Sequence, residues 1–239
     1  MYRFREEVFR IAGDGCVRLL DFRQGRFYAL DPVADRLLAL VFSEGEQRAQ
    51  QLAAEEYDVA EVQVKDDLQS LLNNLSSAKL IRKSTQQEKE SRSWFRAPLE
   101  SLLTPSWSHD LDCGFALCHV DRLLNLAWFS LRLIGWTETV KRWSRPTDVG
   151  HSSLDKSRCR RIDHLVRLAS HSRWLISLSC KERAIVGYFL ARQYGQPAEL
   201  VIGVQQFPFL AHAWVEVHGH ILTDDPEHCA LFVPVTRYQ

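Results

Sequence analysis

The apolar positions in the first 80 residues change period partway along. Residues 8–11, 17–22 and 26–30 read as three short strands, and the glycines of Gly13-Asp14-Gly15 and Arg23-Gln24-Gly25 suit the hairpin turns between them. After Asp31-Pro32, a cap followed by proline at the first helical position, Val33, Leu37, Leu38 and Val41 recur at helical spacing. Residues 48–56 and 61–77 predict two more helices, the second with Val64, Leu68, Leu71, Leu72 and Leu75 on one face, and the pattern closes around Ile81. Strands followed by three helices predict a winged-helix-like unit over residues 1–83, a size at which one core is viable. The stretch 84–93 (STQQEKESRS) carries no apolar residue and predicts a solvated linker. Residues 94–239 form the second predicted domain. Its first part is mainly helical, with Val120–Ile134 the most apolar run and Ile162, Leu165, Val166 and Ala169 in a stripe.

The last sixty residues carry the clearest local signals. Ser179-Cys180-Lys181-Glu182 fits a capping box, which puts Cys180 at the first position of a buried amphipathic helix running to Tyr194 and stopping at Gly195. A cysteine there sits at the positive end of the helix dipole, which favours the nucleophilic thiolate. Residues 198–204 and 211–217 predict strands, the second alternating so that His212, Trp214 and Glu216 share a face. Alanines at 211 and 213 would leave room for a substrate beside His212. A turn at His218-Gly219 leads into a third strand, Ile221-Leu222-Thr223, that ends in Asp224-Asp225. A two-residue turn would set Asp225 opposite the histidine and a three-residue loop Asp224, so parity leaves both acids open. Cysteine on a helix tip, histidine on a strand and an acid on the next strand is the order of nucleophile, base and orienter in thiol hydrolases.

Composition narrows the partners. Thirty basic and thirty acidic side chains leave no net charge to draw the chain onto nucleic acid or anionic lipid. The N-terminus lacks the apolar core of a secretory signal, and Leu123–Trp136, interrupted by Arg132, is too short to cross a bilayer, so a cytoplasmic location without membrane contact is expected. The six cysteines (16, 113, 118, 159, 180, 229) are expected to be mostly buried free thiols, with Cys16, Cys113 and Cys159 structural. Cys113 and Cys118-His119, set against His218, His220, His228 and Cys229, match no common zinc spacing, so packing and a solvated turn are preferred. The basic set Lys156, Arg158, Arg160, Arg161, Arg167 and Arg173 reads as a solvated helix face. The acids Glu55, Glu56, Asp58, Glu61, Asp66 and Asp67 fit either plain surface or selection of basic residues in a ligand.

The run from Cys180 through Ala184, Gly195, Ile202-Gly203-Val204, Ala211-His212-Ala213-Trp214-Val215-Glu216 and Asp224 resembles the transglutaminase-like cysteine peptidase of the lasso-peptide biosynthesis B protein family. The first 80 residues resemble that family's fused leader-recognition element. The resemblance implies an α+β fold in both parts, a winged-helix-like leader-binding domain and a papain/transglutaminase-like domain. It also implies a Cys180-His212-Asp224 triad, with the acid twelve residues after the histidine, and no metal or organic cofactor. Lys181 departs from the leucine of many relatives, a change expected to affect packing more than chemistry.

The implied partner is the leader of a ribosomally made precursor peptide. It would add as a strand along Arg26, Phe27, Tyr28, Ala29 and Leu30, with side chains in a groove beside Leu68 and Leu71, while Trp214 would touch the substrate at the second site. A separate ATP-dependent macrocyclase would use the freed core. Rival expectations are acyl transfer to an amine, or a non-catalytic protein that delivers the precursor.

Overall fold

The computed structural model describes residues 1–13, 16–83, 101–105, 117–144, 155–171 and 178–239. The predicted linker at 84–93, Cys113, Arg173 and the turn at 14–15 lie outside the described residues. The chain divides into two compact units, Met1–Ser93 and Trp94–Gln239.

In the first unit β1 (Tyr2–Phe4) pairs antiparallel with β5 (Ile81–Lys83), so the two ends of the unit are tied together; the sequence reading had neither strand. A three-residue strand is too short to show alternation, which is why this pair escaped it. Strands β2 (Val8–Gly13), β3 (Cys16–Asp21) and β4 (Arg26–Leu30) form an antiparallel sheet in that order, leaving β4 at an edge. Gly25 takes φ +68° in the turn before β4. Helix α1 (Pro32–Glu44) starts where Asp31 accepts from the Ala34 amide at 2.7 Å and is followed by α2 (Glu46–Tyr57) and α3 (Glu61–Ser77). Leu19, Leu30, Leu37, Leu38, Val41, Val64, Leu68, Leu72, Leu75 and Ile81 close one core between sheet and helices.

In the second unit α4 (Leu117–Leu133), α5 (Trp136–Trp143) and α6 (Lys156–His171) precede α7 (Cys180–Gln193). Helix α7 is buried, as expected, but on every side and not on one face alone: Ala184 through Arg192 are all buried, because α4, α5, α6 and the strands β6 and β7 pack around it. Its C-terminal turn ends at Gly195, φ +71°. Strands β6 (Ala198–Gln205), β7 (Leu210–Val217), β8 (His220–Leu222) and β9 (Val233–Tyr238), with the one-turn helix α8 (Pro226–Cys229) between the last two, build a four-stranded antiparallel sheet ordered β8-β7-β6-β9. Strand β9 went unread in the sequence because its Val-Pro-Val-Thr-Arg-Tyr pattern opens with a proline that argues against a strand. Among the described residues no helix is long and apolar enough to cross a membrane.

Two of the cysteine expectations need correction. Cys159 and Cys229 are buried, but Cys16 and Cys118 are exposed and Cys180 is half-buried, so the thiols are not mostly core residues.

Candidate active site

Ser179 caps α7 from extended backbone, its side chain accepting from the Lys181 amide at 3.3 Å while Glu182 accepts from the Ser179 amide at 2.8 Å. Glu182 is 2% exposed and also holds Arg132 of α4 at 3.1 Å, so the helix start is anchored to its neighbour as well as capped. This fixes Cys180 at the helix tip, half-buried rather than sealed in the core.

Strand β7 brings His212 to the same place, 6% exposed, and its imidazole hydrogen-bonds both Cys180 and Asp224, the latter at 3.0 Å from Nε2 to Oδ2. Ala213 is buried and Ala211 half-buried, and the Ala213 amide donates to the Cys180 sulfur. Trp214 is a correction too. It is 2% exposed, donates from Nε1 to Glu216 at 2.8 Å and stacks beside His212 with ring centroids 6.0 Å apart, so it is a wall of the site and not a substrate contact. Phe232 stacks on the imidazole at 4.9 Å and His228 meets it edge-on at 4.8 Å; the sequence reading missed both. Gly203 lies opposite His212 in the β6–β7 ladder, and a Cβ there would come within 2.6 Å of Trp214 and 2.9 Å of Phe232. The missing side chain is what lets both rings close on the sheet.

The acid arrives by a route that periodicity does not give. The turn after β7 is of two residues, His218 and Gly219, at φ +48° and +77°, with Val217 opposite His220. Continued, that register would put Asp225 opposite His212. The ladder stops at Leu222 because Thr223 adopts φ +68°, a conformation rare for a β-branched residue, and this half-twist turns Asp224 toward the histidine. Three contacts hold Thr223 there. Its amide donates to Asp163 of α6 at 2.6 Å, its methyl occupies the space that a Cβ on Gly187 of α7 would need, and Arg167, bonded to Asp163 at 2.8 Å, donates to the Asp224 carbonyl. Arg167 is therefore part of the scaffold and not the solvated residue expected. The Asp224 carboxylate also accepts from Arg183 at 3.2 Å and from the Asp225 amide at 2.8 Å, while Asp225 caps α8.

The electrostatics favour a charged pair. Burial pushes the Cys180 thiol up, but the His212 hydrogen bond and charge, the Ala213 amide and the Lys181 charge outweigh it and hold the thiol below its ordinary range. For His212 burial acts downward, yet hydrogen bonds to Asp224, Cys180 and Cys229 and the charge of Cys180 raise it to about 11. Burial would raise Asp224, but His212, the Asp225 amide and Arg183 bring it down to about 2. A raised histidine contributes stability that is full below its unfolded value and lost as pH rises through about 11. A depressed aspartate contributes stability present above its unfolded value and lost as pH falls through about 2. The arrangement therefore sets a thiol whose ionised form is favoured, an imidazolium and a carboxylate in a row, suited to attack on a carbonyl and protonation of a leaving group.

The residues expected to bind a peptide strand lie in the first unit. Arg26 and Ala29 are exposed, Phe27 and Tyr28 half-buried, and Leu30 buried, on an edge strand. Leu71 is half-buried, but Leu68 is 1% exposed inside the core and offers no groove surface. Of the acids beside α3, Glu56 is paired with Arg36 at 2.8 Å. Among the described residues weighed for a zinc half-site, Cys118 is exposed on α4 and His218 and His220 on the β7–β8 hairpin, while His228 and Cys229 join the surroundings of His212.

Residues 122–237 match the family model described as the transglutaminase-like superfamily, and residues 16–81 match that of coenzyme PQQ synthesis protein D, PqqD. Among solved structures, one described as TbiB1 in complex with the TbiA(beta) leader peptide is 26% identical, covers 35% of this chain and 99% of its own, and has a TM-score of 0.31. No curated protein matches the chain.

Proposed function

We infer that this chain, in which a PqqD-like N-terminal region precedes a transglutaminase-like domain, is the leader peptidase of a lasso-peptide maturation system. The observation that carries the reading is the Cys180–His212–Asp224 row at the tip of α7. The N-terminal domain, residues 1–83, binds an unstructured leader by strand addition at the open edge of β4, where backbone bonding supplies affinity and alternate side chains supply selection. Tethering through residues 84–93 then presents the leader–core junction to the thiol at high effective concentration.

In the reaction the Cys180 thiolate attacks the scissile carbonyl, with the positive end of α7 beside the developing oxyanion. Imidazolium His212 gives its proton to the departing amine, the C–N bond breaks, and the core leaves with a free N-terminus. Water, deprotonated by His212, then splits the leader thioester and restores thiolate and imidazolium. Asp224 keeps the ring in the tautomer and orientation that both steps need. The core passes to an ATP-dependent macrocyclase.

Mass spectrometry of the full chain incubated with a lasso precursor peptide, leader and core together, tests this. Two fragments whose masses sum to precursor plus one water, absent with Cys180→Ala, are expected. An amine-tagged or cross-linked product would replace hydrolysis by acyl transfer, and processing unchanged in Cys180→Ala would leave a delivery role.

A further inference from the structure

Beside His212 lies a buried sulfur that the hydrolytic cycle does not use. Cys229 ends α8, is 2% exposed and hydrogen-bonds His212. Its sulfur, a ring nitrogen of His212 and a carboxylate oxygen of Asp224 all lie within 4.8 Å of one another, three buried donors brought together from β7, α8 and the turn between β8 and α8. We propose that Cys229, His212 and Asp224 form a site for a soft divalent cation, zinc foremost, whose occupancy switches the thiol site off.

The donor chemistry selects the ion. A thiolate, an imidazole and a carboxylate suit zinc, whereas magnesium and calcium require oxygen donors in larger number. Bond lengths of about 2.0–2.3 Å set tetrahedral zinc donors roughly 3.3–3.8 Å apart, so closing around an ion asks for shifts of about an ångström from the present spread. The charge balance also works: a Cys229 thiolate and the Asp224 carboxylate offset the ion, while Arg183 stays on Oδ2, the same carboxylate oxygen that faces His212. His228 is exposed and stands edge-on to His212 at 4.8 Å, which gives the ion an entrance from solvent and a fourth donor or a bound water at that point. On binding, the ion displaces the proton shared by His212 and Asp224 and the proton of the Cys229 thiol, both of which go to solvent. The nitrogen that must face Asp224 and the carboxylate that orients it are then both committed to the ion. Hydrolysis and occupancy exclude one another; that consequence rests on the peptidase reading, whereas the binding itself does not.

Titration of the full chain with Co²⁺, followed by competition with Zn²⁺, reads binding without reference to any substrate. One equivalent of Co²⁺ is expected to give a near-ultraviolet thiolate-to-cobalt band that Zn²⁺ abolishes, that Cys229→Ser removes and that Cys180→Ala retains. Because outer partners of a metal ligand alone are worth 10- to 100-fold in affinity, loss of the Cys229 ligand should weaken Zn²⁺ binding by at least about 100-fold. Absence of the band in the native chain, its persistence in Cys229→Ser, or its loss in Cys180→Ala would each overturn the proposal. Cleavage of precursor that stays at full rate in saturating Zn²⁺ would overturn the switch while leaving both the peptidase reading and the binding site standing.

Discussion

The two ends of the candidate site are built on opposite principles. At Ser179–Glu182 the cysteine is set chiefly by a cap whose partners are neighbours in sequence, with the Glu182–Arg132 pair as a distant tie. At Leu222–Asp225 the acid is set by residues tens of positions away: Asp163 holds the Thr223 amide, Gly187 makes room for its methyl, and Arg167 and Arg183 hold Asp224 itself. One end is locally specified and the other is imposed by packing, so perturbations should spread differently from each.

The sharpest test of the imposed end compares two adjacent acids. Asp224→Asn keeps the shape but loses the charge that holds the imidazole, and cleavage of precursor should fall by about 10³- to 10⁴-fold, the scale of losing the orienting carboxylate in triad enzymes. Asp225, which register alone would favour as the partner, should tolerate Asp225→Asn with little loss, because asparagine caps α8 about as well as aspartate. Steady-state rates with chelator present, beside thermal unfolding of both variants, check the pair. Equal losses in the two would dissolve the distinction.

Next in size is the scaffold behind Thr223. An alanine at Gly187 would place its Cβ 2.3 Å from the Thr223 methyl, which is fully buried and cannot swing away. Overpacking of this kind costs about 1–3 kcal/mol. Gly187→Ala should therefore lower stability in chemical denaturation and lower kcat as well, since relief pushes Thr223 off φ +68° and Asp224 with it. A variant that loses stability while keeping kcat would mean that the turn holds its shape without help from α7.

These cases explain what the sequence could and could not disclose. Cap, strand alternation and the helix stop at Gly195 are short-range, so Cys180, His212 and their elements were legible from residue type and spacing. Thr223 carries no local mark of a left-handed residue, being β-branched where glycine or asparagine is the usual signal, so the pattern alone left Asp224 and Asp225 undivided. Arg167 looked like one of several solvated cations because its partner, the Asp224 carbonyl, is 57 residues away. Leu68 and Trp214 were misjudged in the other direction: apolar residues expected to meet a ligand are spent on the core and on the wall behind His212.

The smallest effect belongs to the local end. Removing Ser179 in Ser179→Ala takes one partner from the box and should cost about 1 kcal/mol of stability, with the Glu182–Arg132 pair still anchoring the helix start. Lys181→Leu should cost less still and, against the expectation that packing dominates at this position, should also act on the chemistry of the Cys180 thiol. The Lys181 charge is the weakest of the influences that lower the Cys180 thiol, behind the His212 hydrogen bond and charge and the Ala213 amide. Removing a cation disfavours the thiolate, so the acid limb of kcat/KM against pH should move upward, while the alkaline limb, governed by His212 near 11, stays in place. A half-exposed charge of this kind is worth about 0.2–1 kcal/mol, so the rate below the midpoint of the acid limb should drop roughly 1.5- to 5-fold and plateau activity should hold. An unchanged acid limb would assign the lowered thiol wholly to the histidine and the strand amide. A limb displaced as far as in Asp224→Asn would make the helix tip as dependent on distant charge as the turn that carries the acid.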